Sequence, residues 1–489
     1  MSVHTSKPGP AATTPASNNP FAVVLHPAPA TWTAQLRSTP LTEAQRRFRV
    51  QLGLPVSVGS QVDPLIIMSG HQAELWHPGI FAKVAAAHAV AKLATSRGIT
   101  AQTAWLVVDQ DANEPHKLKY PAVGTRGDLL SRDWTIDPTP VLAETPTAMR
   151  PALGSGKPLS AVPADIADLA LAARIGSLRE ALLAHKDAPN AAEQMTRVLA
   201  SLIKPAASLP APLLATALAR TDLFTALIDK MLADPAACIR AYNAAAAAYP
   251  LSGIRALDET RSELPLWQLR HGEPRRRVVA SALAKTPREE LAPRALLMTG
   301  LMRLAGCDLF IHGIGGGGLD VNTGYDHVTA QWFNAWLGAD MQQWGGSLAP
   351  AVTASATLRL ALPGPDAPSQ EEIARAQWRA HAGRHQPSIL GDAAGQQQRD
   401  ALLAQIRTAR ARGEQPAVAF RALHALLDQQ RARHAAQLAA LDADAAVFKE
   451  RSAESLVRHD RTWSMALHDE AALRELARAV AVQIEGGAA

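Results

Sequence analysis

The residues best equipped for chemistry fall in three short stretches. In "PLIIMSGHQAELWHPG" (64 to 79) four apolar residues run into Ser69, Gly70, His71 and Gln72. A turn that only redirects the chain uses Gly, Asn, Asp or Pro. A histidine and an amide there add a proton-transfer group and a two-way hydrogen-bonding group. The second stretch, "DQDANEPHK" (109 to 117), offers Asp109, Asp111, Glu114 and His116. Its carboxylates suit an ammonium group or a magnesium ion. The third, "IHGIGGGGLD" (311 to 320), carries His312 with Gly313, Gly315, Gly316 and Gly318. Gly313, Gly315 and Gly318 have GxGxxG spacing, although the next helix starts later than the dinucleotide fingerprint requires. Their amides are candidates for an anion nest. The plainer alternatives are a glycine that relieves a tight turn, a histidine bonded to a carbonyl, and carboxylates that cap loops.

These stretches need elements to position them. The pattern predicts a strand over 64–69, a helix over 79–97 stopped by Gly98, and a strand over 103–108. A single connecting helix makes the two strands parallel with a right-handed crossover. Both carboxyl ends then meet one sheet edge, where open α/β sheets hold ligands. A strand over 308–312 opens onto that edge if it is parallel too. His71, Asp109, Asp111 and the loop from Gly313 to Gly318 are therefore expected to line one pocket. His71 is expected in the turn at a helix N-terminus, with Lys83 one to two turns further on. A helix over 326–337 follows, with Asp326 as its expected cap and Gly338 as its stop.

The remaining sequence divides around this core. Residues 1–30, rich in Pro, Ser, Thr and Ala, read as a disordered tail without a secretory h-region. Residues 31–140 are expected to form the first part of the α/β core, and 286–365 the second. Between them, 141–285 reads as a mainly helical insertion, all-helical from about 160 to 250, with a hairpin over 263–280. Residues 366–489 read as a helical region. There Phe420, His424, Leu427, Arg431, His434, Leu438, Leu441, Ala445 and Phe448 alternate spacings of four and three. That is a heptad seam with a polar middle, expected to pair two protomers, with an intramolecular hairpin as the alternative.

The formal net charge is +5 over 489 residues. The run Arg275, Arg276, Arg277 lacks interleaved aromatics and reads as a solvated face, not a nucleic-acid surface. Cys238 and Cys307 are the only cysteines, which argues against a disulfide framework or a cysteine-based zinc site. No apolar stretch reaches the length of a membrane span. A cytoplasmic protein acting on small molecules, with no nucleic-acid or membrane partner, is expected.

Three segments together resemble the cysteine-adding enzyme family of bacillithiol synthesis. They are "SGHQAELWHPGIFAKVAAAHAVAKL", "AWLVVDQDANEPHKL" and "LAPRALLMTGLMRLAGCDLFIHGIGGGG". The sequence departs from that family where its acidic run, commonly Glu-Asp-His-Asp, is here Val108-Asp109-Gln110-Asp111. The resemblance implies a Rossmann-like core related to class I synthetases and nucleotidylyltransferases, and a C-terminal coiled coil used for dimerisation. It implies a ligase that joins the cysteine carboxyl to the amine of glucosaminyl-malate. Activation of a free carboxylate would use ATP, with Mg2+ as a candidate companion. His71, Asp109 and Asp111 are then the expected catalytic residues. Gly70, Gln72, Lys83, Glu114, His116, His312 and the loop glycines are expected to bind substrate or nucleotide. A non-catalytic metabolite-binding homologue and a nucleotidyltransferase without cysteine chemistry stand as alternatives.

Overall fold

The computed structural model describes residues 21–34, 36, 40–57, 62–125, 127–320, 323–363 and 367–487. Among the described residues the strands are β1 (Phe21–His26), β2 (Leu65–Gln72), β3 (Ala101–Val108), β4 (Lys117–Val123), β5 (Leu129–Thr135), β6 (Pro212–Leu214), β7 (Glu263–Gln268), β8 (Arg276–Val279), β9 (Leu291–Pro293), β10 (Leu309–His312) and β11 (Ala351–Leu358). Six form the main sheet, in the order β1-β11-β10-β2-β3-β6. All neighbours in it run parallel except β1, which lies antiparallel on β11. From β2 the chain builds outward through β3 to β6, then crosses to the other side of β2 to lay down β10 and β11. The direction of construction reverses between β2 and β10.

Alternation of side chains explains why this sheet is covered on both faces. Ile66, Met68, Leu106 and Phe310 enter one core cluster, whereas Ile67, Trp105, Val107, Leu309 and Ile311 enter the other. Successive strand residues point to opposite faces, and a parallel sheet buries both. The Pro78–Ser96 helix packs on β2, β3 and β11 and is itself covered by the Glu470–Gly486 helix. Its alanine-rich composition fits burial on several sides. The opposite face carries the Asp222–Ala233, Pro235–Ala248 and Asp326–Leu337 helices.

Several expectations need correction. Residues 1–20 of the expected tail lie outside the described residues, but Phe21–His26 is an edge strand with a six-residue register on β11. The expected all-helical stretch contains β6, which joins the main sheet beside β3. Its Pro212 reads as a helix break in sequence, and an edge strand tolerates proline because one side of it makes no ladder bonds. The hairpin forms as expected from β7 and β8, with β9 added on its free edge. The seam from Phe420 to Phe448 is broken at His434 into the Ala417–Arg433 and Ala435–Glu450 helices. The first packs on Ala393–Ala411 and the second on Gln370–Gly383, so the seam has partners within the chain. Among the described residues no helix is long and apolar enough to cross a membrane.

Candidate functional site

A cleft of about 610 Å3 opens where the strand order reverses. Gly70, His71 and Gln72 line it, but as the last residues of β2 and not as a turn. They stay in register with Leu106, Val107 and Val108 of β3. Gly70 is required by proximity: a Cβ there would lie 2.4 Å from the Leu106 carbonyl oxygen. The turn comes after Gln72, and the histidine at the helix N-terminus is His77. Its Nδ1 accepts from the Gly79 amide at 3.1 Å, and Pro78 occupies the first helical position.

Basic groups gather at this end of the cleft. His71 Nε2 lies 3.3 Å from the Glu74 carboxylate. Burial pulls the His71 pKa below its ordinary value despite that carboxylate. Burial, with His71, Arg461 and Lys83 nearby, lowers His77 to about 4. Lys83 is 2% exposed, and burial alone brings its ammonium down to about 7. Its Nζ donates to the Gly70 carbonyl at 2.5 Å, 5.5 Å from the Trp105 ring centre. Lys83 is thus tied to the end of β2 from inside the following helix. Arg461, from the segment before the last helix, also lines the cleft.

The acidic run divides. Asp111 lines the cleft, where it accepts from Gln72 Nε2 at 3.0 Å and pairs with Arg275. Burial opposes its ionisation, but Arg275 and Gln72 hold it below the usual carboxylate range. Asp109 is not in the cleft. It is fully buried and accepts from the Thr216 amide at 2.9 Å and the Thr216 hydroxyl at 2.5 Å. It therefore ties the end of β3 to the segment after β6, and burial raises its pKa to about 6. Glu114 is exposed and paired with Lys117 at 2.6 Å, and His116 does not line the cleft. The sequence expectation of one pocket holding both aspartates is corrected: two residues apart beyond the strand end, they serve different surroundings. Among the described residues no group of three or more His, Cys, Asp or Glu side chains could hold a metal. Asp109 and Asp111 each have protein partners here, Thr216 for the first and Gln72 and Arg275 for the second.

The glycine loop is also corrected. His312, Gly313, Ile314, Gly315 and Gly316 line the cleft, and Gly318 does not. Ile314–Gly317 forms one helical turn in which the Gly316 and Gly317 amides donate to the Gly313 carbonyl, and Gly318 donates to Ile314. Those three amides are spent inside the turn and cannot cradle an anion. The later glycines are needed for close packing. Gly318 has φ +71°, and a Cβ on it would lie 2.1 Å from the Thr323 carbonyl oxygen. Asp326 does not cap its helix: it is the first helical residue, and its carboxylate faces His312 Nδ1 at 2.5 Å and Arg303 at 3.1 Å.

The hairpin sheet supplies residues that sequence reading missed. Arg275 is 15% exposed, bridges Asp111 and Glu144, and lies 4.4 Å from the Trp267 ring centre. Arg294 lies 5.0 Å from the same ring and pairs with Glu263 at 2.6 Å. The arginine run is therefore not uniformly a solvated face. The tryptophan in "LPLWQLRHGEPRRR" was the available signal, since guanidinium groups stack on indole faces.

No protein-family model and no curated protein matches the chain. Among solved structures, a Campylobacter jejuni chain described as a candidate arginyl-tRNA synthetase is similar over 91% of this chain and 95% of its own. The identity is 12% and the TM-score 0.25, too low for that likeness to carry an argument about fold or function. The structure itself defines a mixed α/β protein with a mainly parallel sheet, helices on both faces and a cleft at the strand-order reversal.

Proposed function

We propose that the chain is an amide-forming ligase that activates a small carboxylic acid with ATP on a Rossmann-like core. The observation that carries this reading is the cleft at the reversal between β2 and β10. In doubly wound sheets this is where nucleotides bind. Around it, His71, His77, Lys83 and Arg461 stand near one helix N-terminus, a setting that favours a phosphate or carboxylate. Asp111, beside them, is a candidate for the ammonium group of an amino acid. The chemistry required is electrostatic: donors fixed before the reaction stabilise charge that develops on phosphate oxygens.

Within this reading His71 and Lys83 bind and orient phosphate oxygens, Gln72 and Arg275 fix the Asp111 carboxylate, and the hairpin sheet walls off solvent. Anion binding would raise the Lys83 pKa, so the site would take up a proton as the ligand enters. The most specific form, implied by the family resemblance, uses cysteine as the acid and glucosaminyl-malate as the amine. A homodimer through the C-terminal helices belongs to the same proposal, on faces that the seam's contacts within the chain leave exposed.

Amino-acid-dependent exchange of labelled pyrophosphate into ATP tests the activation step across the twenty amino acids. Exchange with one or a few of them, lost in Lys83→Met, is the expected result. ATP binding without exchange for any amino acid would overturn the ligase reading in favour of a binding protein.

A further inference from the structure

We infer that His312 is the general base of the cleft, with its imidazole positioned by the buried Asp326–Arg303 pair. The inference deepens the ligase reading and, in its chemical step, rests on it. The geometry is independent of that reading. His312 ends β10, one residue beyond the pairing of Ile311 with Ser69 of β2, and lines the cleft although it is only 6% exposed. Its Nδ1 is 2.5 Å from Asp326 Oδ2, and Asp326 Oδ1 accepts from Arg303 at 3.1 Å. Arg303 is fixed in turn by the carbonyls of Ala349, at 2.8 Å, and Asp326, at 3.2 Å. Nε2 has no hydrogen-bond partner among the described residues.

Three further contacts hold the ring. Phe310 lies 4.4 Å and Tyr325 5.2 Å from it, centre to centre. Gly316 covers it so closely that a Cβ there would be 2.8 Å from Cγ. The glycine loop is thus a hood over His312, which accounts for a glycine that anion binding does not explain.

This arrangement sets the tautomer. Burial opposes ionisation of Asp326, but His312, Arg303 and His327 keep it below the usual carboxylate range. A carboxylate only accepts, so Nδ1 must carry the proton. Neutral His312 therefore keeps its lone pair on Nε2, at the ring edge away from Asp326. An aspartate that fixes the tautomer and then steadies the imidazolium is a recurring device of base catalysis. Tyr325 packs edge-on to the ring, and burial, with Asp326 and Asp111, raises the pKa of its hydroxyl.

In amide formation, the lone pair of the incoming amine attacks the carbonyl carbon of the mixed carboxylic–phosphoric anhydride. A C–N bond forms and one N–H proton passes to Nε2. The C–O bond to phosphate then breaks, and its electron pair leaves on the phosphate oxygen. The imidazolium, paired with Asp326, returns its proton to solvent. His312 is the catalytic residue here and Asp326 a positioning residue.

Two measurements on the full chain test this. The first is histidine 15N NMR of the wild-type protein, with the His312 signal assigned by its loss in His312→Gln. In spectra taken where the ring is neutral, the proton is expected on Nδ1, and a neutral ring protonated on Nε2 overturns the proposal. Asp326→Asn, whose amide can donate to Nδ1, is expected to switch the tautomer. The second compares pyrophosphate exchange with amide formation, using glucosamine as the probe amine. Measured against its own rate of exchange, His312→Gln should lose ~10²–10⁴ in amide formation. Equal amide formation in the variant and wild type overturns the proposal. Absence of exchange in the wild type would count against the ligase reading alone, and the tautomer would still decide the assignment of His312.

Discussion

Asp111 and Arg275 meet as an ion pair although 164 positions separate them in the chain. One comes from the loop after β3 and the other from the turn before β8, so their contact joins the hairpin sheet to the edge of the main sheet. Gln72 and Glu144 complete the group, and Trp267 supports the guanidinium from one face.

This pair should be energetically coupled. A double-mutant cycle of Asp111→Asn and Arg275→Met, followed by urea unfolding, is expected to give a coupling energy of roughly 1–2 kcal/mol, within the range of contacting charged residues. The coupling should vanish at low pH. Because Asp111 has a depressed folded pKa, its contribution is present above the unfolded value and is lost as pH falls through the folded one. Additive single effects at neutral pH would show that the two side chains do not interact as placed here.

Lys83 should leave a pH signature on stability. Burial lowers its pKa to about 7 from 10.5, so the folded state binds fewer protons than the unfolded chain between those values. The cost of charging it is complete below pH 7 and is relieved as pH rises toward 10.5. Lys83→Met removes that cost but leaves the Gly70 carbonyl without its donor, a penalty that does not depend on pH. Stability of the variant minus that of the wild type should therefore fall on going from pH 6 to pH 10, by on the order of a few kcal/mol. A flat difference in chemical denaturation across that range would contradict a buried, near-neutral lysine.

The two loop glycines should behave oppositely. Alanine at Gly316 would drive a Cβ into the His312 ring, whereas nothing lies within 4 Å of a Cβ on Gly315. Gly316→Ala is expected to destabilise by about 1–3 kcal/mol, the usual cost of overpacking, and to shift the His312 resonances. Gly315→Ala should leave the melting temperature within the scatter of repeats. Matching thermal shifts for the two variants would mean that the loop does not act as a hood.

Much of the core was legible because local patterns determine it. Apolar runs and an alanine-rich helix gave β2, β3 and the helix between them to within a few residues. One short crossover then fixed which edge holds the cleft, so Gly70, His71, Gln72, Asp111 and His312 were foreseen there. What failed was decided by packing. Whether Asp109 or Asp111 faces the cleft depends on Thr216, more than a hundred residues away. The strand end could not be separated from the turn, because only contact with Leu106 shows why Gly70 belongs to a strand. Asp326 resembled a cap because its place before a helix fits one, and its bond to His312 is a tertiary fact. Arg275 and Arg294 escaped because Trp267 hints at stacking without saying which arginine uses it, and Arg461 because nothing in its local sequence marks it for the cleft.

The C-terminal seam offers the last prediction. Leu438 is 8% exposed, and it approaches the Gln370–Gly383 helix so closely that a Cβ on Gly383 would lie 3.2 Å from both Leu438 and Leu441. Gly383 thus permits close contact between two helices of one chain. Leu438→Ala should cost about 2–4 kcal/mol, since it empties a buried site that a rigid neighbour cannot fill. Because the contact lies within the chain, that loss should be the same at 1 µM and 100 µM protein. A seam held by a second protomer would instead make the melting temperature climb with concentration, and the variant would reduce that slope. Thermal unfolding of both proteins over this concentration range, with sedimentation equilibrium alongside, separates the two cases. A loss that depends on concentration would move the partner of Leu438 to another copy of the chain.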